Sequence, residues 1–208
     1  MAGKVLLQAQ QLFGVINSIS AIAEGAGVNE NQAVLNTVAA LSENISSGSL
    51  DLSNIVGSDL TDADGNADAT SEAALTGLLS TALSKNTLTQ SFADDATILA
   101  EASQSMIKVN SVLGESLLAP ESALGSDARA ASLITQNDLK SSFKSIGALD
   151  PEVAAAQITS KLSAFKNVEE IKTNYRDVYK ETIQARAESQ GGIAVSYTHL
   201  RAHETYDH

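Results

Sequence analysis

Cysteine and tryptophan are absent from this 208-residue sequence, and its three histidines all fall within the last ten residues. Without cysteine the chain has no thiol nucleophile, no thiolate ligand and no disulfide. Without histidine elsewhere, it lacks the most frequent general base at neutral pH and the commonest metal ligand. Clustered carboxylates are therefore the remaining candidates for a metal site or for acid–base chemistry.

The histidines lie in a C-terminal segment that we exclude from the fold. Residues 195–205, with the sequence VSYTHLRAHET, resemble codon for codon the translation of a transposase-type sequencing-library adapter. His199 and His203 are four residues apart, which on a helix is the spacing of a zinc-binding pair. Because a segment of this origin carries no function, we treat residues 195–208 as an adapter-derived tail. We expect the natural chain to continue beyond about residue 194.

Basic residues are also scarce, with 13 lysines and arginines against 25 aspartates and glutamates and a net charge of −12. The imbalance belongs to residues 1–137, which hold 15 acidic and 4 basic side chains, net −11. A negative surface without a basic stripe disfavours binding to nucleic acid or to anionic membranes. We therefore expect a protein partner, or neighbouring domains of the same chain, rather than nucleic acid.

Long hydrophobic runs are missing as well. Residues 5–23 carry no charge, but three glutamines, one asparagine and two serines make this stretch too polar to span a membrane. We therefore expect no membrane insertion. A secretory signal peptide is the alternative for this stretch, because Lys4 precedes it and residues 21–23 form a small-residue cleavage site.

Apolar residues recur at alternating spacings of three and four, which predicts an all-α fold. We expect an irregular bundle of about six helices, arranged as one unit or two sub-bundles. Asn29 and Gln32 form a candidate capping box, and Asp150 before Pro151 gives the clearest helix start. The predicted helices cover about residues 4–23, 30–45, 70–85, 92–113, 127–147 (one broken or two short helices) and 151–185.

A change in composition divides the predicted chain into segments. Residues 1–118 form an acidic helical bundle with an aspartate-rich loop at 59–72. Residues 119–126 form a linker, and residues 127–194 form a helical hairpin or long-helix unit. Apolar residues between positions 168 and 185 follow a heptad-like pattern for fewer than three heptads. That pattern fits packing within the bundle and also fits docking of a partner helix.

The loop at 59–72, with the sequence DLTDADGNADATSE, is the one place where carboxylates cluster. Calcium prefers six to eight oxygen ligands, which clustered carboxylates on a glycine-containing turn supply. The candidate calcium ligands are Asp59, Asp62, Asp64, Asp68 and Glu72. The alternative is a solvated acidic connector in which Asp68 or Thr70 caps the next helix.

The loop departs from the standard helix-loop-helix calcium motif. Asp62, Asp64 and Gly65 match its third, fifth and sixth positions. Leu60 and Ser71 then fall at the first and twelfth positions, where the motif requires ligands. A calcium site here therefore requires a variant loop.

The sequence predicts no catalytic residue. Paired carboxylates serve as acid and base in glycosidases, but such sites also need aromatic or polar contacts to the substrate. No aromatic residue lies in the acidic loop, and the many serines are accompanied by neither a nucleophile-elbow motif nor a histidine. We expect no enzymatic activity and no cofactor other than the candidate calcium ion.

A resemblance to a known class of proteins rests on two segments, LDL at 50–52 and TDADGNAD at 61–68. These segments lie between acidic helices rich in Ala, Ser, Leu and Thr. Residues 4–113 resemble helical segments of very large secreted bacterial surface proteins, which are adhesin-like, calcium-associated and repeat-containing. The resemblance implies an extracellular structural or adhesive role with calcium as a stiffening ion, and it transfers no catalytic residue. The glycine-rich repeat of those proteins is absent from this chain.

Three functional hypotheses follow from the sequence. The leading one is a non-enzymatic structural or adhesive helical module, a fragment of a larger secreted or cell-surface bacterial protein. The second is a calcium-dependent binding module that uses residues 59–72. The third is a cytoplasmic helical scaffold that docks a partner helix through residues 168–185.

Overall fold

A computed structural model describes residues 2–57, 59–118 and 126–189, and the fold is all-α as predicted. Short 3-10 turns separate several of the helices. The described α-helices are α1 (Ala2–Gly25), α2 (Glu30–Ser46), α3 (Ala69–Leu83), α4 (Gln90–Ala93), α5 (Ala96–Leu118), α6 (Ser126–Gly147), α7 (Pro151–Lys161) and α8 (Val168–Ser189). The adapter-like tail and nearly all of the predicted linker lie outside the described residues.

The described residues form eight α-helices rather than about six, because two predicted helices are each divided. The first break falls before α5, where the sequence places Asp94 and Asp95 in the first turn of one continuous helix. Instead, Asp95 caps a new helix, since its carboxylate accepts from the backbone N–H groups of Thr97 at 2.9 Å and Ile98 at 3.0 Å. The apolar stripe continues across the break and hides it in the sequence.

The second break divides the predicted last helix into α7 and α8. A 3-10 turn at Ser163–Phe165 intervenes, and the Asn167 side chain then caps α8 by accepting from Glu169 N–H at 2.8 Å. By contrast, residues 127–147 form a single continuous helix, although the sequence predicts one broken or two short helices there.

The helix caps predicted at Asn29 and Asp150 are confirmed. Asn29 accepts from the N–H of Asn31 at 3.0 Å, and Asp150 accepts from the N–H of Glu152 at 3.1 Å, with Pro151 in the first turn. The capping box itself does not form, because the Gln32 amide donates to the Asn36 side chain at 2.7 Å instead of returning to Asn29.

One apolar core runs through the described helices from Val15 to Tyr175. It includes Ile19 and Ile22 of α1 and also Phe143 and Ile146 of α6. The helices on the two sides of the predicted linker therefore share a core. Helix α1 packs along α6 over most of its length and also contacts α2 and α5.

Helices α1 and α6 run parallel and approach closely at their C-terminal ends. A Cβ at Gly147 would overlap the carbonyl of Ile22, and a Cβ at Gly25 would overlap the carbonyl of Lys144. Glycine at both positions therefore allows the two backbones to meet.

The Glu24 side chain lies beside this crossing and is only 7% exposed. Its Oε2 atom pairs with the Lys144 ammonium at 3.2 Å, and the Lys140 ammonium lies 3.9 Å from its Oε1 atom. That Oε1 atom is buried and makes no hydrogen bond. The ion pairs therefore link α1 to α6 at a carboxylate that is incompletely satisfied.

Helix α8 packs on α5 and α6, and its heptad-like seam faces inward over the first half. Val168, Ile171 and Tyr175 are all buried, whereas Val178 is half-buried. These three residues thus pack within the bundle. None of the described helices is both long enough and apolar enough to cross a membrane.

Candidate functional site

The acidic loop begins at a backbone segment that α1 and α5 hold in place. The Gln11 amide donates to the Gly57 carbonyl at 2.8 Å and accepts from the Gly57 N–H at 3.0 Å. The same amide donates to the Asn110 carbonyl at 2.7 Å, and the Asn110 side chain donates to the Ile55 carbonyl at 3.0 Å. Gln11 and Asn110 are buried, so these bonds satisfy the loop backbone away from water.

The tip of the loop is a tight turn built around Asp62. Its carboxylate accepts from the N–H groups of Asp64 at 3.0 Å and Asn66 at 2.8 Å. Gly65 takes a φ of 78°, in the left-handed region that glycine adopts without strain. The backbone N–H of Asn66 is the main cause of the lowered pKa of Asp62, because that bond favours the charged carboxylate.

The loop is also joined to α5 just before Asp62. Thr61 and Ser111 share a hydroxyl–hydroxyl hydrogen bond of 3.1 Å. Asp68 caps α3 by accepting from the N–H groups of Thr70 and Ser71, which confirms one of the two predicted caps. Leu60 at the first motif position is buried and contributes to the core.

The five predicted calcium ligands have separate positions in this arrangement. Asp62 organises the turn, Asp68 caps α3, and Glu72 accepts from the Gln104 amide of α5 at 3.0 Å. Asp59 and Asp64 are exposed at the start and tip of the loop. Within the described residues no three carboxylates or histidines are grouped to hold an ion. Calcium binding by the loop stays a prediction, and calcium takes six or more oxygens about 2.5 Å away.

A cleft beside the loop is lined by three lysines that no sequence pattern singles out. The cleft has a volume of about 740 Å³ and lies between the loop, α5 and the start of α8. Its lysines are Lys108, Lys166 and Lys172. The lining also includes five carboxylates, which outnumber the ammonium groups: those of Asp59, Asp62, Asp64, Glu115 and Glu169. These lysines are up to 64 residues apart in the sequence, and no local pattern links them to the loop.

Each of these lysines also connects two elements. The Lys108 ammonium donates to the Lys166 carbonyl at 2.8 Å. Lys172 pairs with Glu115 of α5 at 2.9 Å, and the hydrogen bond with Glu115 is the main cause of the raised pKa of Lys172. Lys166 pairs with Glu101 of α5 at 2.8 Å. The cleft wall is therefore an ion-paired junction between α5 and the start of α8.

Comparison with protein-family models, curated proteins and solved structures finds no match to this chain. No residue role is therefore transferred from another protein to the loop or the cleft. The expected link to adhesin-like surface proteins stays a prediction that rests on the composition of residues 4–113.

Proposed function

We propose that this chain is a non-enzymatic structural or adhesive helical module within a larger secreted or cell-surface protein. The observation that carries the proposal is the attachment of the acidic loop to the helices by protein contacts at both ends. Gln11 holds Gly57 just before the loop, and Thr61 bonds to Ser111 of α5 near its start. At the end of the loop, Glu72 accepts from Gln104 of α5. An acidic loop attached in this way presents a negative, hydrated surface. Its ends are held in fixed positions on the bundle.

The lengths of the helices support a spacing role. Helices α1, α5 and α6 contain 24, 23 and 22 residues, so each is about 33–36 Å long. All three contribute to one core, which resists bending more than a single helix does. A unit of this kind separates or supports neighbouring domains of the same chain.

The calcium-dependent alternative uses the same loop. It is favoured by the tight turn before Gly65, in which the backbone N–H of Asp64 bonds to the Asp62 carboxylate and the two aspartates lie close together. The Oδ1 atom of Asp62 accepts from the backbone N–H groups of Asp64 and Asn66, whereas Oδ2 has only the Asn66 amide at 3.4 Å and is the atom that an ion would contact. The adjoining cleft brings five carboxylates and three lysines together, so its lining has a net negative charge.

The partner-helix alternative has less surface available than its pattern indicates. Val168, Ile171 and Tyr175 are buried in the bundle, so a partner helix would contact only the second half of the seam. That half includes Val178 and Thr182, which are partly exposed. Two apolar turns present a smaller surface than the three heptads or more that coiled-coil pairing usually uses.

Sequencing the source gene past codon 194 tests the leading proposal. A primer placed within the codons for residues 126–189 keeps the read on the same locus. We expect an open reading frame that continues into further domains, with glycine-aspartate or cadherin-like repeats among them. A stop codon directly after the natural sequence, together with no export signal upstream, would contradict a module of a larger surface protein.

A further inference from the structure

The cleft beside the acidic loop contains charges of both signs, and several of them are already paired within the chain. Lys166 pairs with Glu101 at 2.8 Å, and Lys172 pairs with Glu115 at 2.9 Å and with a second glutamate at 3.4 Å. These ion pairs involve two of the three lysines in the lining and both of its glutamates. The third lysine, Lys108, and the aspartates of the loop are the charges outside these pairs.

Lys108 carries a buried charge that no carboxylate of the described residues neutralises. The residue is only 9% exposed, and its ammonium forms no ion pair within the part of the chain that the structure describes. Its hydrogen bond there goes to the carbonyl of Lys166, at 2.8 Å. An ammonium has three N–H donors, and a buried charge without a counter-charge is costly. Lys108 therefore offers two further donors and its positive charge to an anionic group in the cleft.

The loop presents two carboxylates to the same cleft. Asp64 is exposed at the tip of the turn and lines the cleft. The Oδ1 atom of Asp62 accepts from two backbone N–H groups, whereas Oδ2 has only the Asn66 amide, at 3.4 Å. Asp62 Oδ2 and the Asp64 carboxylate are therefore the acceptors that the loop offers to a cationic group. Helix α5 and the loop thus contribute opposite charges to one cleft.

We propose that this cleft binds a small zwitterion of the amino-acid class. Its carboxylate bonds to the Lys108 ammonium, and its ammonium group bonds to the carboxylates of Asp62 and Asp64. This binding role goes beyond the proposed structural role and is independent of it, because a spacing module needs no ligand.

The charges of the lining favour a zwitterion over an ion of either sign. A simple anion would meet five carboxylates against three lysines, and a simple cation would meet the buried ammonium of Lys108. A zwitterion compensates both charges at once. The cleft volume of about 740 Å³ lies within the range of small-molecule sites, about 300–1,000 Å³. Most of its lining residues are charged or polar, which suits a polar ligand.

Titration of ω-amino acids into the full 208-residue chain tests the proposal. The probes are free glycine, β-alanine, γ-aminobutyrate and aminohexanoate, which carry one carboxylate and one ammonium group at increasing separation. Nitrogen-15 NMR at low ionic strength follows the backbone amides of Gly65 and Lys108. We expect at least one probe to bind with a Kd below about 1 mM. Acetate and ethylammonium, which carry one charge each, should bind at least about tenfold more weakly.

Two variants assign the two ends of the ligand. Lys108→Met and Asp64→Asn should each raise the Kd of the best probe at least about tenfold, whereas Lys180→Met, at an exposed position of α8, should leave it unchanged. Circular dichroism checks that the variants keep their helices, and Asp64, at the exposed tip, is testable whether or not Lys108→Met folds. If no zwitterion binds below about 1 mM, or if acetate binds as tightly, the proposal is overturned. An unchanged Kd in Asp64→Asn and in a folded Lys108→Met would also overturn it.

Discussion

The side-chain amide of Gln11 forms hydrogen bonds with both the backbone N–H and the backbone C=O of Gly57, 46 residues further along the chain. It thereby satisfies both backbone groups of Gly57 at the point where the acidic loop begins. Gly114 of α5 packs directly on the same peptide, since a Cβ there would contact the Gly57 carbonyl. The loop is thus attached to the bundle before its first aspartate.

Replacing Gln11 by alanine should destabilise the fold. The change removes three hydrogen bonds and leaves the half-buried N–H and C=O groups of Gly57 without their side-chain partner. We expect the free energy of unfolding in urea to fall by about 3 kcal/mol. Gln157→Ala, at an exposed position of α7, is the control and should change it by less than about 0.5 kcal/mol. A loss of less than about 1 kcal/mol for Gln11→Ala would show that the contact contributes little.

Two glycine-to-alanine changes should have opposite effects. Gly147→Ala forces a Cβ into the Ile22 carbonyl and separates α6 from α1, so it should destabilise the chain by about 2–3 kcal/mol. Gly77→Ala adds a Cβ in open space within α3 and should stabilise it by about 0.5–1 kcal/mol. Thermal melts of the two variants beside the natural chain provide the measurement. Equal effects would contradict the close approach of α1 and α6.

The Asp62 carboxylate should support the fold only in its charged form. Its pKa in the folded chain is lowered, so its contribution is present above the unfolded value of 3.8 and is lost as the pH falls through the folded value. Asp62→Asn should therefore lower the melting temperature at pH 7, and the difference should shrink as the pH falls below about 4. Asp64→Asn, at the exposed tip, is the control. A difference for Asp62→Asn that persists at about pH 2 would contradict this role.

Tyr175 should titrate late because it points inward from α8 and is buried in the bundle. Burial is the main cause that raises the pKa of Tyr175 to about 12. The folded state therefore loses stability as the pH rises above the unfolded value of 10.0. Absorbance at the phenolate band should show a late component that Tyr175→Phe removes and Tyr179→Phe retains. If all tyrosines titrate together near their unfolded value, the inward packing of α8 is wrong.

Local signals in the sequence account for much of the fold. The apolar spacing predicts the helical class, and Asn29, Asp68 and Asp150 mark helix starts by their own side-chain chemistry. The breaks before α5 and α8 escape prediction because the apolar stripe passes through them. Asp95 and Asn167 could have indicated those breaks, since both are good N-cap residues.

The contacts that define the candidate site are long-range, and periodicity does not encode them. The bonds from Gln11 to Gly57 and the approach of Lys108 to Lys166 join residues 46 and 58 positions apart. The sequence groups the loop carboxylates as calcium ligands by their clustering and spacing. Their separate roles depend on backbone geometry, which places the Asp62 carboxylate on its own turn and the Glu72 carboxylate on Gln104.

A calcium titration tests most directly whether protein contacts, rather than an ion, hold the acidic loop. The measurement is the melting temperature of the chain in excess chelator and in millimolar calcium, followed by calorimetry. If protein contacts hold the loop, we expect the same melting temperature in chelator and in calcium, and no heat of binding. A rise in melting temperature with calcium that Asp62→Asn and Asp64→Asn abolish would contradict it and establish the loop as an ion-dependent site.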